Sequence, residues 1–221
     1  MRRIAVLASG AGSNLQSILA HLASAGSGAA GAVSLVASDR PQAGALAIAA
    51  RAGIPTGTIH DPDDGGAILA LLAEHRIELV ALAGYLTHVP EAATRQFRGR
   101  MINVHPALLP AFGGPGMYGT RVHRAVLDAG VKVSGVTVHF VDDAYDHGPI
   151  IAQWPVPVLA GDTPAALAAR VLRAEHWLYP CAVAAVARGR VTLDASGIVS
   201  GETGVAVPCP IFRLQPEESE L

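Results

Sequence analysis

Lysine is almost missing from this chain: Lys132 stands alone, and arginine fills the other basic positions. Basic and acidic residues nearly balance, at 16 and 18, for a formal net charge of −2. No basic stripe forms, which argues against a nucleic-acid surface. Cysteine is scarce too. Cys181 and Cys209 lack C-x-x-C spacing and nearby metal partners, so two free thiols in a reducing compartment are expected rather than a disulfide framework. No apolar stretch approaches the roughly 20 residues a membrane span requires. The N-terminal run "IAVLA" passes straight into "SGAGSN" and is too short for a signal-peptide core. The expectation is a soluble, cytoplasmic protein.

What is present is apolar: 51% of the 221 residues are hydrophobic, enough for one sizeable core. A single domain over 1–205 with a tail over 206–221 is expected, the tail "QPEESEL" reading as solvated and partly disordered. Short β-branched runs alternate with Ala/Leu-rich amphipathic stretches. Strands are expected over 3–8, 32–38, 54–59, 79–85 and 101–105, and helices over 14–24, 42–53, 66–76 and 91–99. Gly53 fits the position just past a helix end. Such alternation implies a Rossmann-like, doubly wound α/β fold with a mostly parallel sheet. After residue 131 the rhythm changes. Runs 133–141 and 148–158 have no helix between them and should pair antiparallel at the C-terminal edge of the sheet. A long helix over 163–189, interrupted at Pro180, and a hairpin over 191–199 complete the expectation.

The turn "LASGAGSNLQ" (7–16) joins the first strand to the first helix, at the sheet edge where ligands bind. Backbone N–H groups of Gly12, Ser13 and Asn14 suit a phosphate there. Leu15 occupies the third glycine place of a dinucleotide fingerprint, and no lysine completes a P-loop. A phosphomonoester site and a plain tight turn capped by Ser13 or Asn14 both remain open.

In "MINVHPALLP" (101–110), Asn103 and His105 interrupt an otherwise apolar strand. Residues two apart share a strand face, so both project together just before Pro106 stops the pairing. Unpartnered burial of such groups costs several kcal/mol. A structural hydrogen-bond network would answer them. So would a reaction centre in which the amide donates to an oxyanion and the imidazole moves a proton. The loop "HFVDDAYDHGPII" (139–151) supplies a third candidate, Asp146, whose carboxylate would orient His105. Its Asp and His residues lack recognisable metal-ligand spacing, so no metal is expected.

"SGAGSNLQ", "LAGYL", "INVHPALLP", "DAYDHGPI" and "RAEHWLYP" follow one another over residues 2 to about 190. In this the chain resembles the phosphoribosylglycinamide formyltransferases, folate-dependent enzymes of purine synthesis. The resemblance implies the formyltransferase fold, with a phosphate-binding half over about 1–100 and a folate and catalytic half over about 101–205. It implies a catalytic trio of Asn103, His105 and Asp146. Phosphoribosylglycinamide would be bound by Gly12, Ser13, Asn14, Pro106 and Glu175. The co-substrate 10-formyltetrahydrofolate would be bound by Leu86, Thr87, His88, Val89, Val141, Asp142 and Asp143. The partners implied are small molecules, without nucleic acid or membrane, for a monomer or homodimer. The chain departs from the family pattern where many members carry an arginine, at Thr87 and in 63–66. The segment 111–123 is longer than the common form, and its glycines suggest a mobile flap over the ligand or a merely longer loop. Two other readings compete: a formyltetrahydrofolate deformylase, whose matching strand typically carries adjacent histidines, and a phosphate-sensing module without catalysis.

Overall fold

A computed structural model describes residues 1–25 and 30–204. Seven strands form the main sheet in the order β3-β2-β1-β4-β5-β6-β7: β1 Arg2–Leu7, β2 Gly31–Ser38, β3 Thr56–Thr58, β4 Leu79–Leu82, β5 Met101–His105, β6 Val133–Phe140 and β7 Ile150–Pro157. The first five strands run parallel, and β6 and β7 add antiparallel. The helices are α1 Ser13–Ser24, α2 Gly44–Arg51, α3 Gly65–Glu74, α4 Glu91–Gln96, α5 Thr120–Asp128 and α6 Pro164–Ala187. A small hairpin, β8 Val191–Leu193 with β9 Val199–Gly201, follows.

The parallel strands are apolar on both faces because helices cover both. Ile4 and Val6 of β1 join the core that includes α1 and α6, whereas Ala5 and Leu7 join the core beneath α3 and α4. β5 obeys the same alternation. Ile102 and Val104 pack toward α6, and Met101 packs toward the opposite core. Asn103 and His105 therefore share the side of Met101. The strand order reverses between β1 and β4, so the connections leaving both strands flank one crevice. Ser9 N donates to the Gly84 carbonyl across it at 3.0 Å.

Three expectations change. The helix over 163–189 is not broken at Pro180, for α6 runs continuously through it. Packing outweighs the lost backbone bond: Tyr179 and residues 182–187 are buried, and the Tyr179 hydroxyl donates to the carbonyls of Leu82 (2.8 Å) and Ile102 (3.2 Å). The segment 111–123 is not all loop, since its end enters α5. Finally, Gly12 and not Ser13 or Asn14 occupies the N-cap of α1, with φ 86° and no side-chain cap bond. The expectation for 206–221 lies outside the described residues.

Candidate active site

The crevice opens into a cavity of about 600 Å³. The glycine turn and Asn14 form one wall. The loop Gly84–Val89 forms another, and the segment 114–120, the loop 141–146 and α6 close the rest.

β5 carries Asn103 to this cavity with His105 buried two residues on and not itself among the lining residues, and the loop after β6 carries Asp146 against both. Asp146 takes φ 52°, a left-handed backbone that aspartate tolerates better than most residues. The turn behind it needs Gly148, where any Cβ would meet the Phe140 carbonyl oxygen at 1.9 Å. So placed, Asp146 Oδ2 lies 3.3 Å from His105 Nδ1 and accepts from Gly114 N at 3.0 Å. Its Oδ1 accepts from Asn103 Nδ2 at 3.3 Å. His105 is 3% exposed, and its Nε2 donates to the Phe112 carbonyl at 2.8 Å. Both imidazole nitrogens thus face acceptors. Burial works against ionisation of Asp146, but bonds from His105, His139 and Gly114 outweigh it and hold the carboxyl well below the usual carboxylate range.

A fourth polar residue belongs to the cluster. His139, on β6 opposite Asn103, donates from Nδ1 to the Phe140 carbonyl at 2.8 Å. Its Nε2 faces Asn103 Nδ2 at 3.2 Å and Asp146 Oδ1 at 3.8 Å. The amide orientation of Asn103 follows from Asp146, because its oxygen would otherwise face a carboxylate. His139 was legible in "VTVHFV", an imidazole in an apolar run like His105, yet it was not singled out. Gly114 contributes only its backbone and left no such signal.

On the opposite wall, Asn14 of α1 donates from Nδ2 to Glu175 Oε2 of α6 at 2.7 Å, joining positions far apart in sequence. Burial raises the Glu175 pKa, and the Asn14 bond only partly opposes this. Asn14 Oδ1, the Tyr85 hydroxyl and His123 Nδ1 are buried without a hydrogen-bond partner. All three residues line the cavity. Burial, and then His105, lowers the His123 pKa.

Pro106, Leu86, Thr87, His88, Val89, Val141 and Asp142 line the cavity with Asn14, Asn103, Asp146 and Glu175. Asp143 does not. Its carboxylate turns away to the Thr94 hydroxyl and toward Arg95. Of the glycine turn, Gly10 and Asn14 line the cavity, and Gly12 and Ser13 are not among the lining residues. A Cβ on Gly12 would meet Ala45 Cα at 2.8 Å, so the glycine permits close contact with α2. Among the described residues no group of three or more His, Cys, Asp and Glu is arranged to hold a metal ion. No helix among them is long and apolar enough to cross a membrane.

Comparison with known proteins gives a consistent picture. A family model described as formyl transferase matches residues 2–183. The chloroplastic phosphoribosylglycinamide formyltransferase of Arabidopsis thaliana is 40% identical over 204 residues, covering 89% of this chain and 69% of that protein. The corresponding protein of Vigna unguiculata is 41% identical, and the chain spans 64% of its length. The trifunctional purine biosynthetic protein adenosine-3 of Homo sapiens is 40% identical over 88% of this chain, which spans only 19% of that protein. Among solved structures, the phosphoribosylglycinamide formyltransferase of Anaplasma phagocytophilum superposes with TM-score 0.83 at 37% identity, covering 93% of this chain and 95% of its own.

Proposed function

Because the chain belongs to the formyl transferase family, we propose that it moves a formyl group from 10-formyltetrahydrofolate to the amine of 5-phosphoribosylglycinamide. The products are 5-phosphoribosyl-N-formylglycinamide and tetrahydrofolate, a step of purine synthesis. The observation that carries this reading is the convergence of Asn103, His105 and Asp146, from a strand and a separate loop, beside one cavity that Asn103 and Asp146 line and His105 backs.

The chemistry follows from the side chains. A neutral amine attacks the formyl carbon, giving a tetrahedral intermediate with negative oxygen and positive nitrogen. The Asn103 amide and the protonated His105 ring stabilise that oxygen. The substrate oxygen competes with the Phe112 carbonyl, which holds His105 Nε2 at 2.8 Å in this structure. Asp146 keeps the imidazole oriented and helps pass a proton from the attacking amine to the departing folate nitrogen, directly or through water.

The glycine turn supports the substrate phosphate by backbone N–H groups of Gly12, Ser13 and Asn14, at the positive end of α1. Anchoring a remote phosphate lowers the entropic cost of attack. The Asn14–Glu175 pair lies on the wall that receives the glycinamide. The donor lies against residues 86–89 and 141–142. Asp143 is outside this set, since its carboxylate goes to Thr94 and its carbonyl to His88. We place the enzyme in the cytoplasm, as a monomer or homodimer built on one domain over about 1–205.

The test is to incubate the protein with 10-formyltetrahydrofolate, with and without phosphoribosylglycinamide, and to follow the folate absorbance. Change that needs both substrates is the expected result. Change with the donor alone would make the chain a deformylase, and no change would refute catalysis.

A further inference from the structure

α5 carries one polar side chain on its buried face. Val122, His123 and Val126 are its buried residues, and His123 is 4% exposed. Val126 packs in the same core as Leu15 and Ile18 of α1 and Leu167 and Val171 of α6. Those two helices carry Asn14 and Glu175, whereas Tyr85 and Val89 of the Gly84–Val89 loop belong to the opposite core. His123 therefore reaches the cavity from the side of the Asn14–Glu175 pair.

Nothing among the described residues answers its ring. Nδ1 is buried without a hydrogen-bond partner. Nε2 has no partner there either and is not walled off as Nδ1 is, so it is the ring nitrogen that opens on the cavity. Buried N–H groups without an acceptor are rarer than acceptors without a donor, which puts the proton of the neutral ring on Nε2. Burial and the nearby His105 both disfavour a second proton. The ring is thus a neutral donor. The cavity's two side-chain amides are already engaged with carboxylates, Asn14 with Glu175 at 2.7 Å and Asn103 with Asp146 at 3.3 Å. His123 has no such commitment, and a buried polar group left unanswered carries its full desolvation cost.

Resting on the transferase reading above, we propose that His123 is a specificity-determining residue for the acceptor, donating from Nε2 to an uncharged oxygen of phosphoribosylglycinamide, a ribosyl hydroxyl or the amide carbonyl. With the phosphate at the turn before α1 and the amine at the formyl carbon, the part of the acceptor between them passes the wall that His123 shares with Asn14 and Glu175. The bond holds the acceptor in register and takes no part in proton transfer.

The experiment measures KM for each substrate in the wild type, His123→Phe, His123→Gln and His123→Asn. Glutamine places its amide nitrogen near the position of Nε2, and asparagine near that of Nδ1. In His123→Phe the acceptor KM should rise about three- to tenfold, the worth of one neutral hydrogen bond, with donor KM and kcat moving less. His123→Gln should lie about threefold closer to the wild type than His123→Asn. An unchanged acceptor KM in His123→Phe, an equal rise in both KM values, or glutamine no better than asparagine would overturn the proposal. Should His123→Phe not fold, the comparison of glutamine with asparagine decides, and the wild type gives a second reading. Its isotope-labelled imidazole spectrum should show His123 protonated on Nε2, with that signal moved by phosphoribosylglycinamide alone. A proton on Nδ1, or a signal that the acceptor leaves in place, would overturn the proposal. Absence of turnover in the wild type with both substrates would refute the transferase reading, and this inference with it, before any variant is compared.

Discussion

Asp146→Asn is the most informative single change, because the structure says why other replacements at this site confuse two effects. At φ 52°, alanine would strain the backbone, whereas asparagine tolerates the left-handed region and matches the carboxylate in size. What is lost is charge and one acceptor. The carboxylate meets three donors: His105 Nδ1, Gly114 N and Asn103 Nδ2. An amide can accept through one oxygen only, so its NH2 group must face a donor. Hydrogen bonds to a charged group are each worth about 1.5–3 kcal/mol. Removing a proton carrier costs roughly 100- to 10,000-fold in rate. A fall in kcat of that order is expected, with KM for both substrates changed by less than about threefold, since uniform binding is hardly touched. Steady-state kinetics with each substrate varied in turn reads both quantities. A variant with wild-type kcat, or one whose loss is confined to KM, would refute the assignment of Asp146 to the chemistry.

Three further outcomes follow from separate features. Tyr179→Phe removes the hydroxyl that answers the carbonyls of Leu82 and Ile102 in a fully buried site. Chemical denaturation should show a loss of about 1–3 kcal/mol, and an unchanged midpoint would mean those carbonyls are satisfied otherwise. Gly148→Ala forces a Cβ to within 1.9 Å of the Phe140 oxygen, so the loop bearing Asp146 must shift; activity should fall steeply even where the fold persists, and wild-type turnover would contradict the reading. The third concerns pH. The Asp146 pKa is depressed in the folded state, so its stabilisation is complete above the unfolded value of about 3.9 and is lost as pH falls toward the folded value. The stability difference between wild type and Asp146→Asn should therefore shrink between pH 5 and pH 3, a range set by that unfolded value. A difference that grows with acid would reverse the sign.

Much of this was legible in the sequence, and the parts that were not share a physical reason. β5 occupies its expected residues because both its faces are buried, and Pro106 ends it sharply. The glycine turn before α1 and the antiparallel edge were likewise marked by local chemistry: glycines in the first case, two apolar runs without an intervening helix in the second. α6 was misjudged at Pro180 because local propensity speaks against a buried proline, while the Tyr179 anchor that offsets it lies far off in sequence. α5 was hidden by the glycines preceding it. The bonds from the Ser9 and Thr87 hydroxyls to Asp39 unite residues that only the fold brings together. Asp143 shows the converse: its neighbours in sequence suggested the cavity, but a turn sends its carboxylate to Thr94.

The proposed transfer needs His105 and Asp146 to act as one unit at the formyl carbon, and a double-mutant cycle measures that directly. Turnover would be compared among wild type, His105→Ala, Asp146→Asn and the double variant under saturating substrates. The prediction is that the double variant is no slower than the slower single variant, because either change already disables the shared machinery. Losses that multiply would mean the two side chains act independently, and the central claim would fall.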